Sequence, residues 1–356
     1  MYKSLQAGRA VAAMLVVLYH LGVALSAEKY FGITAFSIPF SFGGSAGVDF
    51  FFVLSGFIIL TAHRNDIFQP HRLKNYIRKR LIRIYPTYWI IFLSVFFSAV
   101  ASTALRNTVP DDFFIILKSL FLIPQATGAP VIIVAWTLQY EMFFYLFFAC
   151  LILNRGLSII ALLALSTIYF NYHGVPAIPF PLSFLSNDNI LLFAMGMAAS
   201  AACSSKRMSM KNRPVFYTGI GIVGVIIFLL LAFYTVTGKS YAFTGGIAGI
   251  MARQNILYGL ASGLIVFYLV KAEDKGRIIG GHGGLQLVGD SSYALYLIHY
   301  PLISMLCKLS LLIQLDKLGV IGALVAYVVI FGLCLISSAA FHLWIEKPVI
   351  AYLRKR

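Results

Sequence analysis

Apolar residues run along this chain in blocks of roughly 18 to 25, and the charged residues fall between the blocks rather than alternating with them. A helix of that length crosses about 30 Å of hydrocarbon at a rise of about 1.5 Å per residue. The pattern predicts ten spans, over residues 8–27, 44–63, 86–105, 137–154, 157–172, 185–203, 215–236, 247–270, 288–313 and 318–342. A shorter apolar piece at 113–123 is open between a further membrane-embedded segment and a loop. Pro86 is placed in the first turn of the third span, where its missing N–H leaves no bond unmade. No repeat period, low-complexity tract or long linker interrupts the order, so residues 1–356 are read as one membrane-embedded domain with no appended soluble domain.

Composition narrows the class. With 60% hydrophobic and 11% charged residues and a mean hydropathy of +0.88, the chain is too apolar for a soluble domain and is expected to be an all-α polytopic membrane protein. The net charge of +16 would suit nucleic acid, but the cations lie in short loops without an aromatic-studded basic domain, which argues against that partner. They serve better as topology determinants. Counted loop by loop, 21 of the 28 Lys and Arg residues fall on one face of a ten-span bundle, which places both termini in the cytoplasm. The expected location is the bacterial inner membrane, in multi-pass form. Cys150, Cys203, Cys307 and Cys334 show neither metal nor disulfide spacing and are read as packing residues. Ala24-Leu25-Ser26 could pass for a signal-peptidase site, but the nine spans that follow need no cleaved signal.

Ionisable residues inside the spans are where chemistry is expected. His20 sits in the middle of the first span, with Arg9 eleven positions earlier and therefore on nearly the same helix face, about 16 Å away along the axis. Arg9 either snorkels to headgroups or faces a ligand; His20 either donates a structural bond or acts chemically. His299 lies about as deep in a span of the same direction, a depth compatible with one shared cavity. Asp49 and Glu141 need partners within hydrocarbon, whether a catalytic histidine, a sugar hydroxyl, or a basic residue such as Arg253 or Lys308.

Six segments carry a resemblance to a known family. They are Arg9 with His20; the run Gly47-Val48-Asp49-Phe50-Phe51-Phe52-Val53-Leu54-Ser55-Gly56-Phe57; and Lys79-Arg80-Leu81-Ile82-Arg83-Ile84-Tyr85-Pro86. Further on come Trp136-Thr137-Leu138-Gln139-Tyr140-Glu141-Met142-Phe143-Phe144-Tyr145, Ser292-Tyr293-Ala294-Leu295-Tyr296-Leu297-Ile298-His299-Tyr300-Pro301, and Ile345-Glu346-Lys347-Pro348. In this order they resemble the bacterial membrane acyltransferase-3 family over nearly the whole chain. The resemblance implies transfer of an acyl group, often acetyl, from cytoplasmic acyl-CoA to a saccharide or lipid-linked saccharide outside. It also implies that the first-span His and Arg are essential. Acyl-CoA is then a co-substrate, and no tightly bound cofactor is expected. The length looks most like the exopolysaccharide and O-antigen O-acetyltransferases.

The residue chemistry fits those roles. Transfer from a thioester to a hydroxyl needs a base for the hydroxyl proton, and neutral histidine suits that task near pH 7, so His20 is assigned as base. His299 either joins it or makes one interhelical bond in a packed helix. Arg80 and Arg83, three apart on one helical face, and Arg78 beside them are placed at the donor's phosphates together with Arg9, since guanidinium forks match phosphate oxygens. Ser55, Trp136 and Tyr145 are placed toward the acceptor cavity; a Ser55 nucleophile has no base motif beside it in sequence. The rival reading is a transporter or flippase for a glycolipid or anionic metabolite, built on the same buried polar groups.

Overall fold

The computed structural model describes residues 2–33, 44–101, 109–205, 214–236 and 254–355. Among them the regular structure is helical: α1 (Lys3–Ser26), α2 (Gly44–His63), α3 (Leu73–Ala101), α4 (Phe113–Leu120), α5 (Trp136–Leu153) and α6 (Arg155–Tyr172). There follow α7 (Asn189–Ser204), α8 (Pro214–Val236), α9 (Gln254–Glu273), α10 (Gly283–Asp290), α11 (Ser292–Leu312), α12 (Gly319–Phe341) and α13 (Lys347–Lys355). Ten helical stretches among the described residues are long and apolar enough to cross a membrane. Residues 102–105 and 247–253 of the expected spans lie outside the described residues, as do Arg106, Lys206, Arg207, Lys211, Arg213, Lys239, Arg253 and Arg356.

Two local expectations are corrected, and one left open is narrowed. The third span was expected to begin at 86, but α3 begins at Leu73 and Pro86 lies inside it. Hydropathy marks where lipid begins, whereas Lys74, Arg78, Lys79, Arg80 and Arg83 are good helix formers that carry the helix beyond that boundary. The single span expected at 288–313 divides at Ser291 into α10 and α11. At the division the Ser291 hydroxyl and its backbone N–H both donate back to the Leu287 carbonyl at 2.9 Å. The 113–123 piece forms the eight-residue α4, about 12 Å long and too short to cross the membrane. Its start is set by the Asp112 carboxylate, which accepts from the Phe114 N–H at 2.7 Å.

The described chain forms two compact units, one of Met1–Ile58 with Leu191–Leu343 and the other of Ile59–Ile190 with Trp344–Arg356. In the first, Ala13, Val17, Leu21 and Leu25 recur every four residues on α1 and pack into a core with Leu295, Ile303 and Cys307 of α11 and Ala323, Ala326, Tyr327, Ile330 and Cys334 of α12. Lipid is as apolar as leucine, so burial alone drives little association here; the small Ala and Cys side chains let the helices approach and gain dispersion contacts. Gly56 of α2 works the same way, because a Cβ there would run into the Phe193 carbonyl of α7.

The register of α1 is pinned at its start. The Glu273 carboxylate at the end of α9 accepts from the Lys3 and Ser4 N–H groups at 2.8 and 2.7 Å, satisfying two of the donors a helix N-terminus leaves open. The Tyr2 hydroxyl donates to Asp274 at 2.9 Å, and burial together with that carboxylate pushes its phenol up to about 12, so it remains a donor at neutral pH.

The second unit packs α5 against α3 and α6, and sets α13 on α3. Tyr76 of α3 is buried there, 1% exposed, and its hydroxyl donates to the Tyr145 carbonyl of α5 at 3.0 Å.

Candidate active site

The first unit brings His20 and His299 together. His299 is fully buried on the α11 stripe that includes Leu295 and Ile303, so one position of that stripe carries an imidazole. Its Nε2 lies 3.2 Å from Nδ1 of the half-buried His20. Each ring also has its Nδ1 3.0 Å from the carbonyl one helical turn back, Leu295 for His299 and Val16 for His20.

These contacts assign the tautomers. A carbonyl oxygen only accepts, so both Nδ1 atoms carry the hydrogen. His299 Nε2 is then a lone pair, and it accepts from the His20 Nδ1–H, which is shared with the Val16 carbonyl. His20 Nε2 is left as the free lone pair of the pair. A proton taken up at that atom makes an imidazolium whose Nδ1–H bond to His299 becomes charge-assisted and therefore stronger. The pair thus holds one ring in the form a general base needs and stabilises the charge that base acquires.

Aromatic rings surround the pair. Tyr19 and Tyr300 stand edge-on to the His20 ring at 5.2 and 5.5 Å between centroids, and Tyr296 lies 5.8 Å from His299. Sequence reasoning gave none of them a role, although Tyr296 and Tyr300 flank His299 at positions that share its helix face or adjoin it.

Arg9, at 7% exposure, is buried in the same unit rather than reaching out to headgroups. Its guanidinium donates to Gln6 Oε1 at 3.0 Å, and the Gln6 amide donates to the Asp290 carboxylate at the end of α10. Gln6 and Asp290 were both missed by the sequence reading. Asp49 is also buried, at 5% exposure on α2, and Ser55 lies half-buried on the same helix beside the close approach at Gly56.

A second group forms in the other unit. The Arg80 guanidinium lies over two rings, 5.3 Å from Tyr145 and 5.8 Å from Tyr76, so two faces of negative quadrupole attract its charge. Tyr145 O–H donates to Glu141 Oε1 at 2.5 Å, one turn back on α5, which provides the partner a carboxylate in a span requires. Two of these three contacts follow i,i+4 spacings, 76/80 and 141/145, that are visible in the sequence. A cavity of about 440 Å³ opens beside this group, lined by Ala62, His63, Asn75, Arg78, Lys79, Arg80, Ile82 and Arg354. Arg78 and Arg80 therefore share one cavity, while Arg83 does not line it. Trp136 stands apart, 39% exposed at the start of α5 and edge-on to Tyr140 at 6.1 Å.

What these groups offer chemically is a neutral, oriented imidazole pair in one unit and a cationic cavity in the other. Comparison with known proteins gives that chemistry a family. Exopolysaccharide production protein ExoZ of Rhizobium meliloti (strain 1021) is 27% identical over 334 residues, covering 88% of this chain and 92% of that protein. Peptidoglycan O-acetyltransferase OatA of Listeria monocytogenes is 25% identical over 327 residues, which cover 83% of this chain but 48% of that longer protein. No solved structure matches the chain. The acyltransferase-3 model, described as an acyltransferase domain, matches residues 2–343, and the chain belongs to that family of membrane acyltransferases.

Proposed function

We propose that this protein is a membrane O-acyltransferase that moves an acyl group, acetyl in the first instance, from cytoplasmic acyl-CoA to a hydroxyl of a cell-surface polysaccharide or its lipid-linked precursor. The observation that carries the reading is the His20–His299 pair, because its hydrogen bonds leave His20 Nε2 unprotonated and ready to accept a hydroxyl proton. Family membership supplies the reaction class. The relatives named for exopolysaccharide production and peptidoglycan O-acetylation support a saccharide acceptor and an acetyl donor.

In this reading the acceptor hydroxyl gives its proton to His20 Nε2 as its oxygen attacks the thioester carbonyl carbon. The tetrahedral intermediate collapses with cleavage of the C–S bond. The departing thiolate takes the proton from His20 Nε2, leaving an O-acyl ester, free CoA thiol and the starting tautomers. His299 is the positioning residue: it fixes which nitrogen of His20 carries hydrogen and stabilises the transient imidazolium. Arg78 and Arg80 take the donor's phosphates. The excess of basic residues in alternate loops supports a cytoplasmic entrance for the donor.

Mass spectrometry of surface saccharide from cells with and without the protein tests the reading. An ester-linked acyl mass, removed by mild alkali and present only with the protein, is the expected result. Identical acylation in both, with the protein verified in the membrane, contradicts it.

A further inference from the structure

We infer that the C-terminal helix α13 is part of the donor site, with Arg354 as a phosphate-binding residue that closes the cationic cavity of the second unit. The ligand chemistry rests on the acyl-CoA reading above; the participation of α13 rests on the cavity itself. Residues 344–356 lie beyond the family match, which ends at 343. Arg354 is therefore not a feature that the family comparison supplies.

The helix is anchored where the cavity needs it. A π-helical turn over His342–Glu346 leads into α13, which lies on α3 with Val349, Ile350 and Leu353 half-buried along one stripe while Arg354 and Lys355 stay exposed. Arg78 donates to the Leu353 carbonyl at 3.4 Å, meeting one of the acceptors that the end of a helix leaves open. That contact fixes the last turn of α13 beside the cavity and brings Arg354 into its lining.

The charge pattern points to an anion. Arg78, Lys79, Arg80 and Arg354 line one cavity, and no carboxylate is among its lining residues. Two carboxylates of the unit are already engaged: Asp66 accepts from His63 at 2.7 Å and from Arg72 at 2.8 Å, and Glu141 accepts from Tyr145. The Arg80 Nε–H is buried without a hydrogen-bond partner, a donor left open beside this cavity. Like charges gathered in this way repel one another unless an anion sits among them. A helix-dipole role for Arg354 would explain one cation at a helix C-terminus, but not its convergence with three others. The volume of about 440 Å³ is within the range of small-molecule sites, so the cavity fits the phosphorylated end of a nucleotide rather than a lone ion.

The test is calorimetric titration of the detergent-solubilised full chain with adenosine 3′,5′-bisphosphate, which carries the phosphates without a thioester. Arg354→Gln should weaken binding about tenfold or more, the scale of one lost charge-assisted phosphate contact. Arg354→Lys should recover part of it, and Arg155→Gln, an exposed charge outside the cavity, should bind as the wild type does. Adenosine alone should not bind. Wild-type affinity in both Arg354→Gln and Arg354→Glu overturns the inference. So does binding to phosphatidylglycerol vesicles by a chain that never binds the nucleotide, which would make the occupant a lipid headgroup. Arg354-dependent nucleotide binding by a chain that transfers no acyl group would leave this site standing and overturn the acyltransferase reading alone.

Discussion

Replacing His20 by alanine is expected to leave a membrane-inserted protein whose acyl transfer falls at least about 10²-fold, the scale of a lost general base. The hydrogen-bond pattern makes the expectation specific to one atom. His20 Nε2 is the free lone pair of the pair, while Nδ1 is committed to Val16 and His299. His20→Gln can keep a donor toward His299 but has no basic nitrogen, so it should be nearly as inactive as the alanine variant. His299→Ala should cost less, about 10- to 10²-fold, because it removes a charge-assisted bond and leaves the base in place. Rates of acyl incorporation in membranes, normalised to protein content, check the order. Equal losses for His299→Ala and His20→Ala would instead assign the two rings one joint role.

Arg80→Ala is expected to weaken acyl-CoA binding by about 1.5–3 kcal/mol, or roughly 10- to 10²-fold, through the loss of a charge-assisted phosphate contact. Arg80→Lys should restore little. The guanidinium carbon lies over the Tyr76 and Tyr145 rings, and an ammonium on a flexible stem offers no planar fork there. Titration of the solubilised protein with a non-hydrolysable acyl-CoA analogue measures the effect. Unchanged affinity in Arg80→Ala would return this cation to a purely topological role.

The spans were legible because hydrocarbon thickness sets the length of an apolar block, and that constraint needs no tertiary information. Helix ends were less so. The start of α3 at Leu73 depends on helix propensity among charged residues, and the break at Ser291 falls inside one apolar block; neither registers in hydropathy. The depths of His20 and His299 followed from counting residues along two spans. Their meeting depends also on which way each helix faces, and that is set by the packing of the Ala13, Val17, Leu21 and Leu25 stripe with Leu295 and Ile303. The i,i+4 pairs Tyr76/Arg80 and Glu141/Tyr145 were available as spacing but not singled out, because many residues in a helix share that spacing and only the fold selects among them. The convergence of Arg354 with Arg78, Lys79 and Arg80 arises only when α13 folds back on α3.

The central claim, acyl transfer from a cytoplasmic CoA thioester through His20, is tested most directly in sealed vesicles of defined orientation. Labelled acyl-CoA is added outside, and label is counted in the saccharide fraction for wild type and for His20→Ala. A multiply charged nucleotide does not cross hydrocarbon unaided. The account predicts incorporation in inside-out vesicles carrying the wild-type protein, and close to none in right-side-out vesicles or in either orientation with His20→Ala. Equal incorporation in both orientations with vesicle integrity verified, or undiminished incorporation by His20→Ala, would contradict it.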